Sequence, residues 1–170
     1  MSKTAPSPTS ARGSCPASTF LFGMGARTPM GDLGIAGMRI GIGLYMAIGH
    51  GYGKMFADGS LGPSAGFIGY IDGMGFPAPT LFAWMAAITE FFGGLALAAG
   101  LLTRPAALGM IGTMLVAIFL AHGADPWVAA PGERSKEMAM LYLLPSIALL
   151  MLGGGRFSLD TPLRRMLFKC

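Results

Sequence analysis

The sequence predicts an all-α membrane protein: a four-helix transmembrane bundle carrying a flexible N-terminal tail. Composition is the first ground. Hydrophobic residues make up 53% of the chain and charged residues 12%, whereas a soluble domain is about a quarter charged. Spacing is the second. Apolar runs recur between Gly- and Pro-rich breaks, and at about twenty residues per span four spans with their tails use all 170 residues. The third is one carboxylate, Glu90, set inside the run Ile88-Thr89-Glu90-Phe91-Phe92-Gly93-Gly94. A charge near the middle of a span costs roughly 3 kcal/mol or more and needs a partner or a purpose.

Met1 to about Met30 is rich in Ser, Thr, Pro, Ala and Gly, with Lys3, Arg12 and Arg27. Its apolar stretch Thr19-Phe20-Leu21-Phe22 is too short for the core of a cleaved signal peptide. Residues 1–30 therefore read as a disordered basic tail, the sharper alternative being that Phe20–Met24 docks on a partner or the membrane surface. Residues 31–160 form the membrane domain, and 161–170 a second basic tail.

The first span is expected over about Leu33–His50. It is rich in glycine, which weakens an isolated helix but lets backbones approach in a bundle, and Gly37 and Gly41 stand at GxxxG spacing. Gly51–Pro77 is a long connection holding Lys54, in which Phe67, Ile68, Tyr70 and Ile71 suit a short amphipathic turn on the membrane. The second span covers about Ala78–Leu102 and the third about Pro105–His122, with Pro105 acceptable at a helix start. The fourth covers about Lys136–Leu152, where Pro145 is expected to introduce a kink and Gly153-Gly154-Gly155 a stop.

Basic residues set the orientation. Lys3, Arg12, Arg27, Arg104, Arg156, Arg164, Arg165 and Lys169 fall in the tails and the second connection. The first and third connections carry only Lys54, Arg134 and Lys136 with most of the acids. The positive-inside rule places both termini in the cytoplasm, and Trp84 and Trp127 then fall near the outer interface. The net charge of +4 is scattered over helix ends, with no basic stripe interleaved with aromatics, so nucleic acid is not an expected partner.

Two groups of residues are candidates for chemistry. Arg39 lies about 10 Å from the inner end of the first span and Glu90 roughly 15–18 Å from that of the second, at 1.5 Å per residue. An Arg39–Glu90 pair is within side-chain reach, either to fix packing or to manage a proton or ligand. His50, His122 and Glu137 sit at the outer ends of spans, with Tyr45 and Tyr142 about a turn further in. Helix capping, a quinone head group and a metal are the readings open to that cluster, and no short His spacing supports the metal. Cys15 and Cys170 form no CxxC and read as free thiols. The fourteen Met residues read as packing filler, Met138 and Met140 being the only close pair weighed as soft ligands.

In chain order, these motifs resemble the DoxX-like membrane proteins, a group that includes the small quinone-reducing subunit of thiosulfate:quinone oxidoreductase. The resemblance spans about Asp32–Asp160. It rests on Arg39 with Gly43, His50-Gly51-Tyr52-Gly53-Lys54, Glu90-Phe91-Phe92-Gly93-Gly94, Gly100-Leu101-Leu102-Thr103-Arg104, Ala117 to His122, and Gly155-Arg156-Phe157-Ser158-Leu159-Asp160. It implies a four-helix bundle in the cell's inner (plasma) membrane and, for function, an oxidoreductase subunit or a partner of thiol-redox proteins. The long N-terminal tail and the triple glycine, where a Gly-Pro-Gly-like turn is usual, depart from the pattern.

Two functions follow as expectations. In one, a redox subunit presents quinone to a partner, with Arg39 and Glu90 managing a proton and His50, His122, Glu137 and Tyr142 around the head group. The sequence has no haem, flavin, dinucleotide or metal motif, so electrons would come from another subunit. In the other, a non-catalytic accessory subunit fills a seam in a larger membrane complex. Solute transport fits less well, since no inverted repeat or pair of broken helices is visible.

Overall fold

The computed structural model describes residues 28–167 and is helical throughout, the only strand-like pairing among these residues being a single bridge between Phe56 and Gly62. The expectations for Met1–Arg27, including Cys15 and Phe20–Met24, and for Lys169 and Cys170, lie outside the described residues. Helix α1 spans Pro29–Met55, α2 Ala65–Gly73, α3 Pro79–Ala99, α4 Thr103–Ala121, α5 Glu137–Leu152 and α6 Asp160–Leu167. Three of them, α1, α3 and α4, are long and apolar enough to cross a membrane, and α5 is a shorter apolar helix. This is the architecture of a multi-pass membrane protein.

Both ends of α1 correct the sequence reading. The helix begins four residues before Leu33, because Thr28 Oγ1 accepts the Gly31 N–H at 3.1 Å and Pro29 occupies the first turn. At the other end it runs past His50 to Met55. Gly51 and Gly53 look like breakers, yet tertiary packing overrides their low propensity. The extension moves Lys54 from a loop onto a helix, four residues and one turn after His50.

α1 packs against the second half of α3, α3 turns into α4, and α4 lies along α5. The close α1–α3 approach is made by Gly43, not by the GxxxG pair. A Cβ at Gly43 would stand 2.7 Å from Ala98 N, whereas one at Gly37 or Gly41 meets nothing within 4 Å. The interior is built from small residues and flexible side chains: Ala83, Ala87 and Ala107 are fully enclosed, with Met46, Met110, Met114, Ile118 and Leu149 between the helices. Ile40, Ile48, Phe92, Leu108, Phe119 and Leu144 point outward and are exposed, as side chains solvated by hydrocarbon would be. α2, capped by Ser64, packs on α3, and α5 passes through Pro145 to end at Gly153 with φ 78°.

At the end of the bundle where α3 turns into α4, the end the sequence reading takes as inner, the chain ties a polar knot. The turn after α3 puts Gly100 and Leu102 in left-handed conformation, φ 68° and 47°, which a leucine adopts only when neighbours enforce it. Asp160 does so, its carboxylate accepting the Leu102 and Thr103 N–H groups at 2.6 and 3.0 Å and so capping α4. Arg39 donates through Nη1 to the carbonyls of Ala98 (2.7 Å) and Leu97 (3.3 Å), and through Nη2 to that of Phe157. Asp32, fully buried, accepts the Arg156 N–H at 3.2 Å. The strap after α5 is thereby bound under α1 and the α3–α4 turn.

Candidate functional site

Three helices depart from α-helical winding around one cavity. Single π-helical turns occupy Ala47–Gly51 in α1, Thr89–Gly93 in α3 and Ala117–Ala121 in α4. A π turn carries an extra residue and re-aims the side chains near it, and such turns gather at functional sites. The first contains His50, the second Glu90, and the third delivers His122 as its C-terminal cap. These groups, with Lys54, Tyr142 and Ser135, line a cavity of about 280 Å³ whose apolar walls are Met46, Met114, Ala117, Met138 and Ala139.

Glu90 is 3% exposed, and its partner is Lys54. Lys54 Nζ lies 2.6 and 2.7 Å from the two carboxylate oxygens, a two-oxygen contact that meets most of the desolvation cost of the acid. Gly51 makes this reach feasible by bringing the α1 backbone against Glu90 and Phe91, where any Cβ would clash. Lys54 is itself about a third exposed (32%) and stands 5.1 Å from the Phe67 ring centroid of α2. The pair is thus buried at its acid end and reachable at its cation end.

The anticipated Arg39–Glu90 pair is not formed. Arg39 lies beside Ala98, eight residues beyond Glu90 on α3 and so about 12 Å further toward the inner end. The sequence estimate took the two helix ends as level, whereas Arg39, ten residues into α1, sits beside the end of α3, and it left Lys54 in a loop.

On the opposite wall, His122 Nδ1 lies 2.8 Å from Asp125 Oδ2, which also meets Arg134 Nε at 3.3 Å. That contact orients the imidazole and leaves Nε2 as its other hydrogen-bonding atom. Arg134 also donates to the Ala121 carbonyl (2.9 Å) and to the Tyr70 hydroxyl (3.3 Å), tying α2 to the loop over the cavity. His50 meets the Tyr142 ring edge-on at 5.6 Å, and Tyr45 lies 6.2 Å from His50. The Tyr142 hydroxyl is buried with no hydrogen-bond partner among the described residues, which costs about 1–3 kcal/mol unless something else accepts or donates.

Of the residues singled out in the sequence, Glu90, His50, His122 and Tyr142 line the cavity, while Glu137 is exposed and Arg39 belongs to the inner knot. Sequence reasoning did not place Lys54, Asp125 or Ser135 among the site residues. For Lys54 a signal existed: Met46, His50 and Lys54 recur at four-residue spacing, one face of a continuing helix. Asp125 had none beyond lying three residues after His122 in a polar loop. Among the described residues no three His, Cys, Asp or Glu side chains gather as metal ligands would.

A family model described as DoxX matches residues 34–123, more than half of the chain and all of α3 and α4. No curated protein and no solved structure matches it.

Proposed function

The chain belongs to the DoxX family, and we propose that it is a membrane-embedded subunit of a redox-linked complex that holds a quinone head group in the cavity beside Glu90. The cavity carries this reading: a buried carboxylate paired to a lysine, two histidines and an unpartnered hydroxyl around about 280 Å³ of space. Small-ligand pockets run from about 300 Å³ upward, so the space suits a single ring. The donor set fits as well. Quinone carbonyls accept hydrogen bonds, and Lys54, the histidines and Tyr142 can donate them.

A bound quinone would supply the electron-accepting chemistry, with electrons arriving from a partner subunit. The chain's own residues bind and move protons. Glu90 is the proton-holding group, its charge stabilised by Lys54 Nζ, which also opens toward the surface. His122, oriented by Asp125, presents its other ring nitrogen, Nε2, to donate or accept a hydrogen bond. Tyr142 fixes the ring by donating its free hydroxyl.

Glu90→Gln keeps the size and hydrogen bonding of the side chain and removes its charge. Insertion and folding are expected to persist, while quinone-dependent turnover in the isolated complex falls by about 10²-fold or more, as removal of a positioned acid–base group does. Undiminished turnover would sink this reading in favour of the accessory-subunit one.

We further propose that all four main helices cross the cell's inner membrane with both ends in the cytoplasm. α5, at sixteen residues, spans about 24 Å, somewhat short of a hydrocarbon core of about 30 Å, a mismatch that local thinning absorbs. Arg104, Arg156, Arg164 and Arg165 gather at the inner end. With Cys15 and Cys170 replaced by Ser, a cysteine at Gly132 is expected to react with an impermeant maleimide from outside intact cells, and one at Arg165 only after lysis. The reverse pattern would invert the topology.

A further inference from the structure

A second concavity, of about 520 Å³, opens on the bilayer-facing side between α1 and α5. Gly37, Gly41, Ile42 and Leu141 line it, with Tyr45 and Tyr142 at the end nearest His50. It exists because α5 packs along α4 and only lightly on α1, and because two glycines leave a trough where side chains would stand. Over Gly37–Tyr45 the trough runs eight residue steps, about 12 Å.

Tyr142 lines both this groove and the polar cavity. It is 5% exposed, and its hydroxyl is unpartnered among the described residues. The boundary between an apolar groove open to the bilayer and a polar chamber is therefore a buried hydroxyl awaiting a hydrogen bond. We infer that the groove holds the isoprenoid tail of the quinone, which enters sideways from the bilayer between α1 and α5 with Tyr142 bonding its head group at the neck.

This rests on the reading of the chamber given above, and it names the path and the part of the ligand that the groove takes. The occupant must join a polar ring in the chamber to an apolar chain outside it. No charged side chain lines the groove, so a phospholipid headgroup has no counter-ion there. A tail passing from bilayer to groove exchanges one apolar phase for another, so its preference comes from packing against the trough. Side chains that fill the trough abolish that packing and close the path.

The test uses the full chain in lipid nanodiscs, titrated with a decyl-tailed benzoquinone and with its tail-less parent. Binding is read by quenching of intrinsic fluorescence against protein-free discs, with quinone expressed per lipid. A Cβ at Gly37, Gly41 or Gly112 meets nothing within 4 Å, so Gly37→Leu/Gly41→Leu fills the groove and Gly112→Leu, exposed on α4, is the matched control. The filled variant is expected to bind the tailed probe at least about tenfold more weakly, equivalent to about 1.4 kcal/mol, and the tail-less probe as the wild type does. Tyr142→Phe is expected to weaken both probes.

Wild-type affinity of the filled variant for the tailed probe would overturn the tail assignment and leave the chamber standing. Equal loss of both probes, with Gly112→Leu unaffected, would also overturn it, since the groove would then not distinguish tail from head. Saturable binding of neither probe to the wild type would overturn the chamber reading and this one together. A co-purifying phospholipid or partner helix that the filled variant releases, with tailed-quinone binding unchanged, would assign the groove to that occupant instead.

Discussion

Lys54→Met is expected to destabilise the folded protein by about 3 kcal/mol, the lower end of what removing one partner of a buried pair costs, because Lys54 is a third exposed while Glu90 is not. The loss comes chiefly from Glu90, left ionised in an apolar wall or forced to take up a proton. The double variant Lys54→Met/Glu90→Gln then regains most of the stability, since replacing both members of a buried pair is often neutral. It is not expected to regain quinone-dependent turnover. Denaturant-induced unfolding in mild detergent measures the first effect, and turnover of the complex the second. If the double variant were no more stable than Lys54→Met, the pair would not be what holds Glu90 in place.

Arg39→Met is expected to cost at least about 3 kcal/mol, because it removes the donor from three carbonyls at once, each buried orphan costing about 1–3 kcal/mol. Two of those carbonyls, of Leu97 and Ala98, end α3, where a cation also meets the negative pole of the helix. The third, of Phe157, anchors the strap after α5. Loss should appear first as faster hydrogen exchange at Leu159 and Asp160, whose N–H groups bond Ala99 and Gly100. Arg39→Lys keeps the charge without the planar fork and is expected to recover only part. Quinone binding by the folded fraction should survive. Wild-type exchange in Arg39→Met together with lost binding would instead place Arg39 in the proton chemistry.

These two expectations separate charges that looked alike in the sequence. Arg39 and Glu90 were both lone charges in apolar runs, and pairing them was the economical reading. The structure gives each its own partners because α1 extends to Met55 and because the strap Gly155–Asp160 folds back under the bundle. Neither event has a local signal. The extension runs against the propensity of Gly51 and Gly53, and the strap is a contact between Asp160 and an α4 N-terminus fifty-seven residues away. The same holds for close packing: Gly37 and Gly41 had the motif, yet Gly43 and Gly51 make the approach, because helix rotation about its axis follows from what the whole face buries.

The sequence by itself determined the all-helical class, the approximate places of the four main helices, and the choice of Glu90, His50, His122 and Tyr142, which the fold brings to one cavity. Composition and period are properties of single segments, and the cost of an intramembrane charge depends on little else. Only the tertiary structure decided that Lys54 is the counter-ion of Glu90, that Asp125 orients His122, that Arg39 and Asp160 lock the inner end, and that Glu137 stands outside the cavity. Those are matters of axial register between helices, where one turn moves a side chain by about 5.4 Å, more than the length of a hydrogen bond.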